Sequence, residues 1–499
     1  MKRKICLLLA MLMILSAMTI FASCSKDNGD GAATTVTTIP QNNNGGQGGD
    51  DDAKLFEDLP EGSYDGYVFT FLNGTSNYAI TTIVPEATTD TVDAALFARN
   101  SYVKEKLKVE IVESLQNYDV VKSTMASLTS SNDFEYDAVY NSVYLQTALA
   151  QSGTYLSTDD VDKYLNFNKP WWFKDVMDSI AIDDKGFEIY GDLQLMYYDS
   201  IWGMAFNQQD FIDNKQTFPY ELVRSGEWTL AEMEKIMKAT YQKPGSDHYA
   251  IVGHKDLISA MMVAADFELV SQDDEDILKV FEDEEYFVNV YTAIMNTFFT
   301  SNGPDKMNMI IADYASAAYK SGIFQQLKDD GFQKWFIQGK GTFMGGTIGD
   351  LRQVRASEFS YGIVPLPKID EDQEQYVSMV VSYAASLGIP AATPNLERAC
   401  TILENMAAYS YKLVRYEYYD VVVQGRTVRD NDSIEMLDII FGHTELGKTK
   451  LEIDMLYSIG IMDVIRKDMS DAVSTIMVSI DGAMGTIEGN MESVIEGYK

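Results

Sequence analysis

The order of hydrophobic periodicities between residues 67 and 140 constrains this chain more than any other feature. Tyr67-Val68-Phe69-Thr70-Phe71-Leu72 is a β-rich run closed by the turn pair Asn73-Gly74. Residues 90–107 carry Val92, Ala95, Leu96, Tyr102 and Val103 along one side at helical spacing. Residues 109–112 then read as a second strand, 118–128 as a helix and 136–140 as a third strand. Strand, helix, strand, helix, strand predicts a parallel sheet wound by crossover helices, an α/β fold. Ligands of such sheets bind beyond the carboxyl ends of the strands. Asn73, Asn77, Tyr140, Asn141 and Tyr144 fall at those ends and are candidate ligand contacts.

The N-terminus reads as an export signal. Lys2, Arg3 and Lys4 precede an apolar run from Ile5 to Phe21, and Ala22-Ser23 lead into Cys24. The Ala-Ser-Cys ending resembles a bacterial lipobox, with Phe21 where Leu or Val is usual. That resemblance implies removal of residues 1–23 and lipidation of Cys24. Residues 24–55 are then an anchor and tether, because a stretch of Gly, Asn, Asp, Thr and Gln cannot bury enough surface to fold. The expected location is the extracellular face of the cell membrane, lipid-anchored, of the Gram-positive type.

Charge and cysteines narrow the partners. The chain carries a net −36, and the signal holds three basic and no acidic residues, leaving about −39 on the remainder. Such a polyanion is repelled by nucleic acid and by anionic bilayers. With Cys6 removed and Cys24 acylated, only Cys400 remains, so no disulfide and no cysteine metal cluster is expected. Three histidines offer little for a metal, and no cofactor is expected.

Three further stretches carry a family resemblance. Tyr136-Asp137-Ala138-Val139 is followed by Ala148-Leu149-Ala150-Gln151-Ser152-Gly153-Thr154-Tyr155-Leu156 and Lys169-Pro170-Trp171-Trp172. Ala205-Phe206-Asn207-Gln208-Gln209-Asp210-Phe211 precedes Pro219-Tyr220 and Glu227-Trp228-Thr229. Phe343-Met344 and Tyr361-Gly362-Ile363-Val364-Pro365-Leu366-Pro367-Lys368 precede a helix over 395–408. In this order they resemble the family 1 extracellular solute-binding proteins, the receptor lipoproteins of carbohydrate ABC importers. Residues 418–421 and 435–438 resemble versions from gut-type Gram-positive bacteria.

The resemblance implies a two-lobe periplasmic-binding-protein-like fold with a hinge between lobes and C-terminal helices. Lobe one would hold 56–187 with a return segment near 380–420, and lobe two 188–378 with C-terminal helices to 499. Crossings are expected near 186–190 and 377–383, and amphipathic helices near 451–464 and 469–478. The implied partners are a sugar or oligosaccharide and the permease subunits of an ABC transporter, the receptor itself being a monomer.

Sugar rings present apolar C–H faces to aromatic side chains and a hydroxyl rim to Asn, Asp, Gln or Arg. Trp171, Trp172, Trp202, Asp350, Arg352 and Tyr383 therefore join the candidate contacts. Core packing competes for each tryptophan. In an extended segment adjacent side chains face opposite ways, so at most one of Trp171 and Trp172 enters a cleft. Asp350 and Arg352 follow Gly345-Gly346-Thr347-Ile348-Gly349, a glycine run that matches no phosphate loop. A peptide or polyamine remains an alternative solute, and a surface glycoside hydrolase or an adhesive lipoprotein an alternative class. The hydrolase requires two carboxylates across a cleft, and neither Gly-x-Ser-x-Gly nor His-Glu-x-x-His occurs.

Overall fold

The computed structural model describes residues 55–498 apart from 76–82, 85, 87, 151, 183–184, 241–247, 255, 268–269, 273–277, 281–283, 300–308, 313–330, 382–383, 425–427, 429 and 452–472. The strands used below are β1 (Tyr67–Thr75), β2 (Val109–Asn117), β3 (Ala138–Ser142), β4 (Trp202–Asn207), β5 (Tyr249–His254), β6 (Met309–Ala312), β7 (Gly341–Thr347), β8 (Tyr361–Val364), β9 (Tyr376–Val380), β10 (Ala385–Gly388) and β11 (Gly447–Leu451).

The first sheet has the order β10-β3-β1-β2. β1 is central and runs parallel to both β2 and β3, with Tyr67 opposite Val109 and Phe71 opposite Ala138. Helices α1 (Thr91–Leu107) and α2 (Tyr118–Ser131) connect these strands, as the alternating periodicities require. Asp90 caps α1 by accepting from the backbone N–H of Val92 and Asp93, and Asn117 caps α2 through Asp119. Lys108 and Asn132 end the two helices in the left-handed region. β10 returns from far along the chain and pairs antiparallel with β3, Ala385 opposite Ser142.

The second sheet has the order β8-β4-β7-β5-β6. β4 is antiparallel to both its neighbours, whereas β5 is parallel to β7 and β6. Its core gathers Phe206, Phe211, Trp228 and Phe343, and the C-terminal helix Val473–Tyr498 adds Ile476, Ile480, Ile487 and Val494. Burying such side chains stabilises each by roughly 1.5–3 kcal/mol.

Three passages join the sheets. The first is longer than the expected 186–190: Ile189 still pairs with Leu387 of β10, and the chain pairs with β9 only at Ile201. A short helix, α3 (Leu195–Asp199), fills the gap, its apolar residues buried. The second passage leads directly from β9 to β10. The third continues helix α4 (Leu396–Tyr409) of the first lobe through π-helical turns at Ser410–Val414 and Glu417–Gln424. It then enters α5 (Asn431–Ile440), which packs on the second lobe. Leu451, expected to open a helix, instead closes β11, which pairs in parallel with β9. Gly447 starts that strand because any Cβ there would collide with the carbonyl oxygen of Ile439. No described helix is long and apolar enough to cross a membrane.

Candidate functional site

At the carboxyl ends of the first sheet the polar side chains hold the strands to one another. Asn73 is buried and donates to Glu113 Oε1 at 2.8 Å. Asn141, also buried, donates to the Tyr118 carbonyl at 3.1 Å and accepts from the Ser142 N–H at 3.0 Å. It lies directly over Gly74, where a Cβ would press on its Oδ1. Tyr140 alternates to the opposite face, stacked on Phe71 with centroids 5.2 Å apart, inside the lobe. Its hydroxyl is held far above its ordinary pKa, chiefly by burial, which the Arg99 guanidinium partly offsets. Tyr144 is the second residue of the helix Val143–Ala150 that follows β3. Asn77 and Tyr383 lie outside the described residues.

Trp171 and Trp172 both point inward and converge on one carboxylate. Their indole N–H groups donate to Glu404 Oε1 and Oε2, each at 2.9 Å. The expectation of opposite faces fails because the backbone turns here, the Trp172 N–H reaching the Lys169 carbonyl at 3.1 Å. Burial raises the Glu404 carboxyl to about 6 against the pull of both indoles and of the Asn166 N–H.

On the second sheet Trp202 is buried at the start of β4. Asp350 closes a capping box on the turn Ile348–Leu351: Oδ2 accepts from the Thr347 N–H (2.9 Å) and hydroxyl (3.0 Å). Its Oδ1 accepts from Gln333 at 2.6 Å, so both oxygens already have protein donors. Arg352 reaches both Asp199 oxygens from Nη1 at 2.8 and 2.9 Å, and the Tyr418 hydroxyl donates to the same carboxylate. This trio ties the second lobe, the first passage and the third passage together. Beside Asp350 lies His254 at the carboxyl end of β5, close enough to oppose the rise of its buried carboxyl, with His254 Nδ1 3.0 Å from Asp256.

A cavity of about 940 Å³ opens next to the passages. The first lobe contributes Trp172, Phe173 and Lys174, the first passage Tyr197 and Tyr198, and the segment around β11 Phe441, His443 and Lys448. Phe173 lies 5.0 Å from Tyr197 and 5.8 Å from Tyr198, which lies 5.8 Å from Phe441, giving a continuous aromatic wall. Arg415, from the third passage, donates to His443 Nε2 at 3.3 Å and stands 3.9 Å from Asp192. Burial lifts the Asp192 carboxyl to about 6, and burial together with Arg415 lowers His443 to about 4. Of the sequence candidates only Trp172 lines this cavity. The Tyr197-Tyr198 pair was a visible local signal, but nothing local links it to Arg415 or Lys448.

Among the described residues no three His, Cys, Asp or Glu side chains form a metal-holding group. No family model matches the chain, and no curated protein matches it by sequence. Solved structures match it by fold. UgpB from Mycobacterium tuberculosis, in complex with glycerophosphocholine, aligns with a TM-score of 0.56 at 12% identity, covering 86% of this chain and 99% of that one. A sugar transporter from Rhizobium etli in an open conformation gives 0.55 at 12%, covering 87% and 99%. The GacH receptor of Streptomyces glaucescens, solved unliganded and with acarbose, gives 0.51 at 14%, covering 86% and 98%. With two larger sheets, three passages between the lobes and nearly complete coverage of each of these proteins, the chain has the two-lobe fold of the solute-binding proteins.

Proposed function

We propose that this chain is an exported solute-binding lipoprotein that captures a carbohydrate between its lobes and hands it to an ABC transporter permease. The observation that carries the reading is the pair of sheets whose parallel strands end toward the connecting passages. A ligand held there touches both lobes and favours the state in which they approach. The carbohydrate is supported by the neighbours, which include a sugar transporter and a receptor solved in complex with acarbose. We assign the contacts to Asn77, Tyr144 and Tyr383 and, at and just beyond the carboxyl end of β5, to His254 and Asp256. Binding rather than hydrolysis is supported by Asp350 and Glu404, whose oxygens are all engaged by protein donors.

A cognate saccharide raises stability by RT ln(1 + [L]/Kd), about 2.7 kcal/mol at a hundredfold excess over Kd. Thermal unfolding against a panel of plant and mucin glycans, peptides and polyamines reads this out. A shift with a peptide or polyamine alone overturns the carbohydrate assignment. The same panel followed by small-angle scattering is expected to show compaction with the stabilising ligand. The anchor is tested separately: Cys24→Ala is expected to abolish incorporation of labelled palmitate, and unchanged labelling excludes Cys24 as the lipid site.

A further inference from the structure

We infer that the cavity beside the passages is a second binding site and that it takes an acidic saccharide, a sugar ring bearing a carboxylate. It is separate from the proposed capture site on the second lobe, since neither His254 nor Asp256 is among its described lining residues. Its volume of about 940 Å³ falls within the roughly 300–1,000 Å³ of small-ligand sites. The wall of Phe173, Tyr197 and Tyr198 offers the apolar surface that a sugar's C–H face covers.

Charge supplies the second half of the assignment. The chain bears a net −36, yet the described lining holds Lys169, Lys174, Arg415, Lys448 and Lys450 against a single carboxylate, Asp175. The field of the whole molecule repels an acid. A local block of cations is what admits one, and a neutral sugar has no use for it. The acids that pair with these cations are not among the lining residues: Lys174 pairs with Asp178, Lys448 and Lys450 with Asp266, and Arg415 with Asp192. Lys169 lies 3.8 Å from the exposed Asp58. An ammonium has three donors, so a ligand carboxylate joins these pairs without having to break them. Because the walls come from both lobes and the passage between them, an occupant also biases the hinge.

Calorimetric titration with digalacturonate, and with its dimethyl ester as a neutral control of the same ring shape, tests the assignment. The intact chain is expected to bind digalacturonate with an affinity that falls with added salt, and the ester at least about tenfold more weakly. Lys174→Gln/Lys448→Gln alters two half-exposed side chains, so the fold is retained. It is expected to weaken digalacturonate about tenfold or more and to leave unchanged the affinity of any neutral saccharide found by the panel. Absence of digalacturonate binding, or equal binding by the double variant, overturns the acidic-ligand assignment. Parallel loss of acidic and neutral ligands in that variant overturns the separateness of the two sites. Neither result bears on whether a neutral sugar is captured at the strand ends.

Discussion

Glu404→Ala is expected to destabilise the chain by about 4 kcal/mol or more in equilibrium urea unfolding. Both Glu404 oxygens accept from buried indoles, and the Asn166 N–H adds a third donor at 3.2 Å. Stranding a buried donor costs about 1–3 kcal/mol, and two indole N–H groups lose their acceptor at once. The space left beneath Trp171 and Trp172 adds a packing loss. Glu404→Gln keeps the volume but has one acceptor oxygen for two indoles, so an intermediate loss is expected. The pH dependence separates the carboxyl from its packing. Burial raises this carboxyl from 4.5 to about 6, so between those values the folded chain holds a proton that the unfolded chain has released. Its contribution is therefore fully present below pH 4.5 and is lost as pH rises through about 6. The stability difference between the parent and Glu404→Gln is expected to shrink by about 2 kcal/mol from pH 4 to pH 7. A difference that is flat across that range would show that the carboxyl titrates normally.

Asp199→Ala is expected to cost about 3 kcal/mol and to loosen the joint between the lobes. The substitution leaves the guanidinium of Arg352 half-buried without its bidentate partner and strands the hydroxyl of Tyr418, which is itself buried. Removing one member of such a pair is dominated by the uncompensated charge that stays behind. Arg352 belongs to the second lobe, Asp199 to the first passage and Tyr418 to the third. Loss of the shared carboxylate therefore weakens the contact between lobes more than either core. Urea unfolding followed by probes in each lobe should lose coincidence, and the unliganded radius of gyration should rise. A change below about 0.5 kcal/mol with unaltered scattering, the size of an ordinary surface substitution, would make the trio incidental.

The local elements were legible because their causes are local. The apolar spacing of 90–107, capped by Asp90, became a helix over Thr91–Leu107, and the run from Tyr67 became β1. The winding of three parallel strands followed from that alternation. The candidate site was far less legible. Asn73, Asn141 and Asp350 are polar residues at strand ends, as a ligand site requires, yet the structure engages each with a backbone or side-chain partner. The same polarity serves capping and strand anchoring, and only the partner's position distinguishes the uses.

Taken by itself the sequence determined the order of strands and helices over residues 67–140 and their parallel winding, and thereby the α/β class, since periodicity and turn chemistry act over a few residues. Tertiary structure alone decided which polar groups meet. Trp172 and Glu404 are 232 positions apart, and Arg352 and Asp199 are 153 apart. The aromatic and cationic cavity draws its walls from segments spread between Phe167 and Leu451. Contacts of that range leave no trace in any short window, because they form only when the passages between the lobes bring distant segments to the same place.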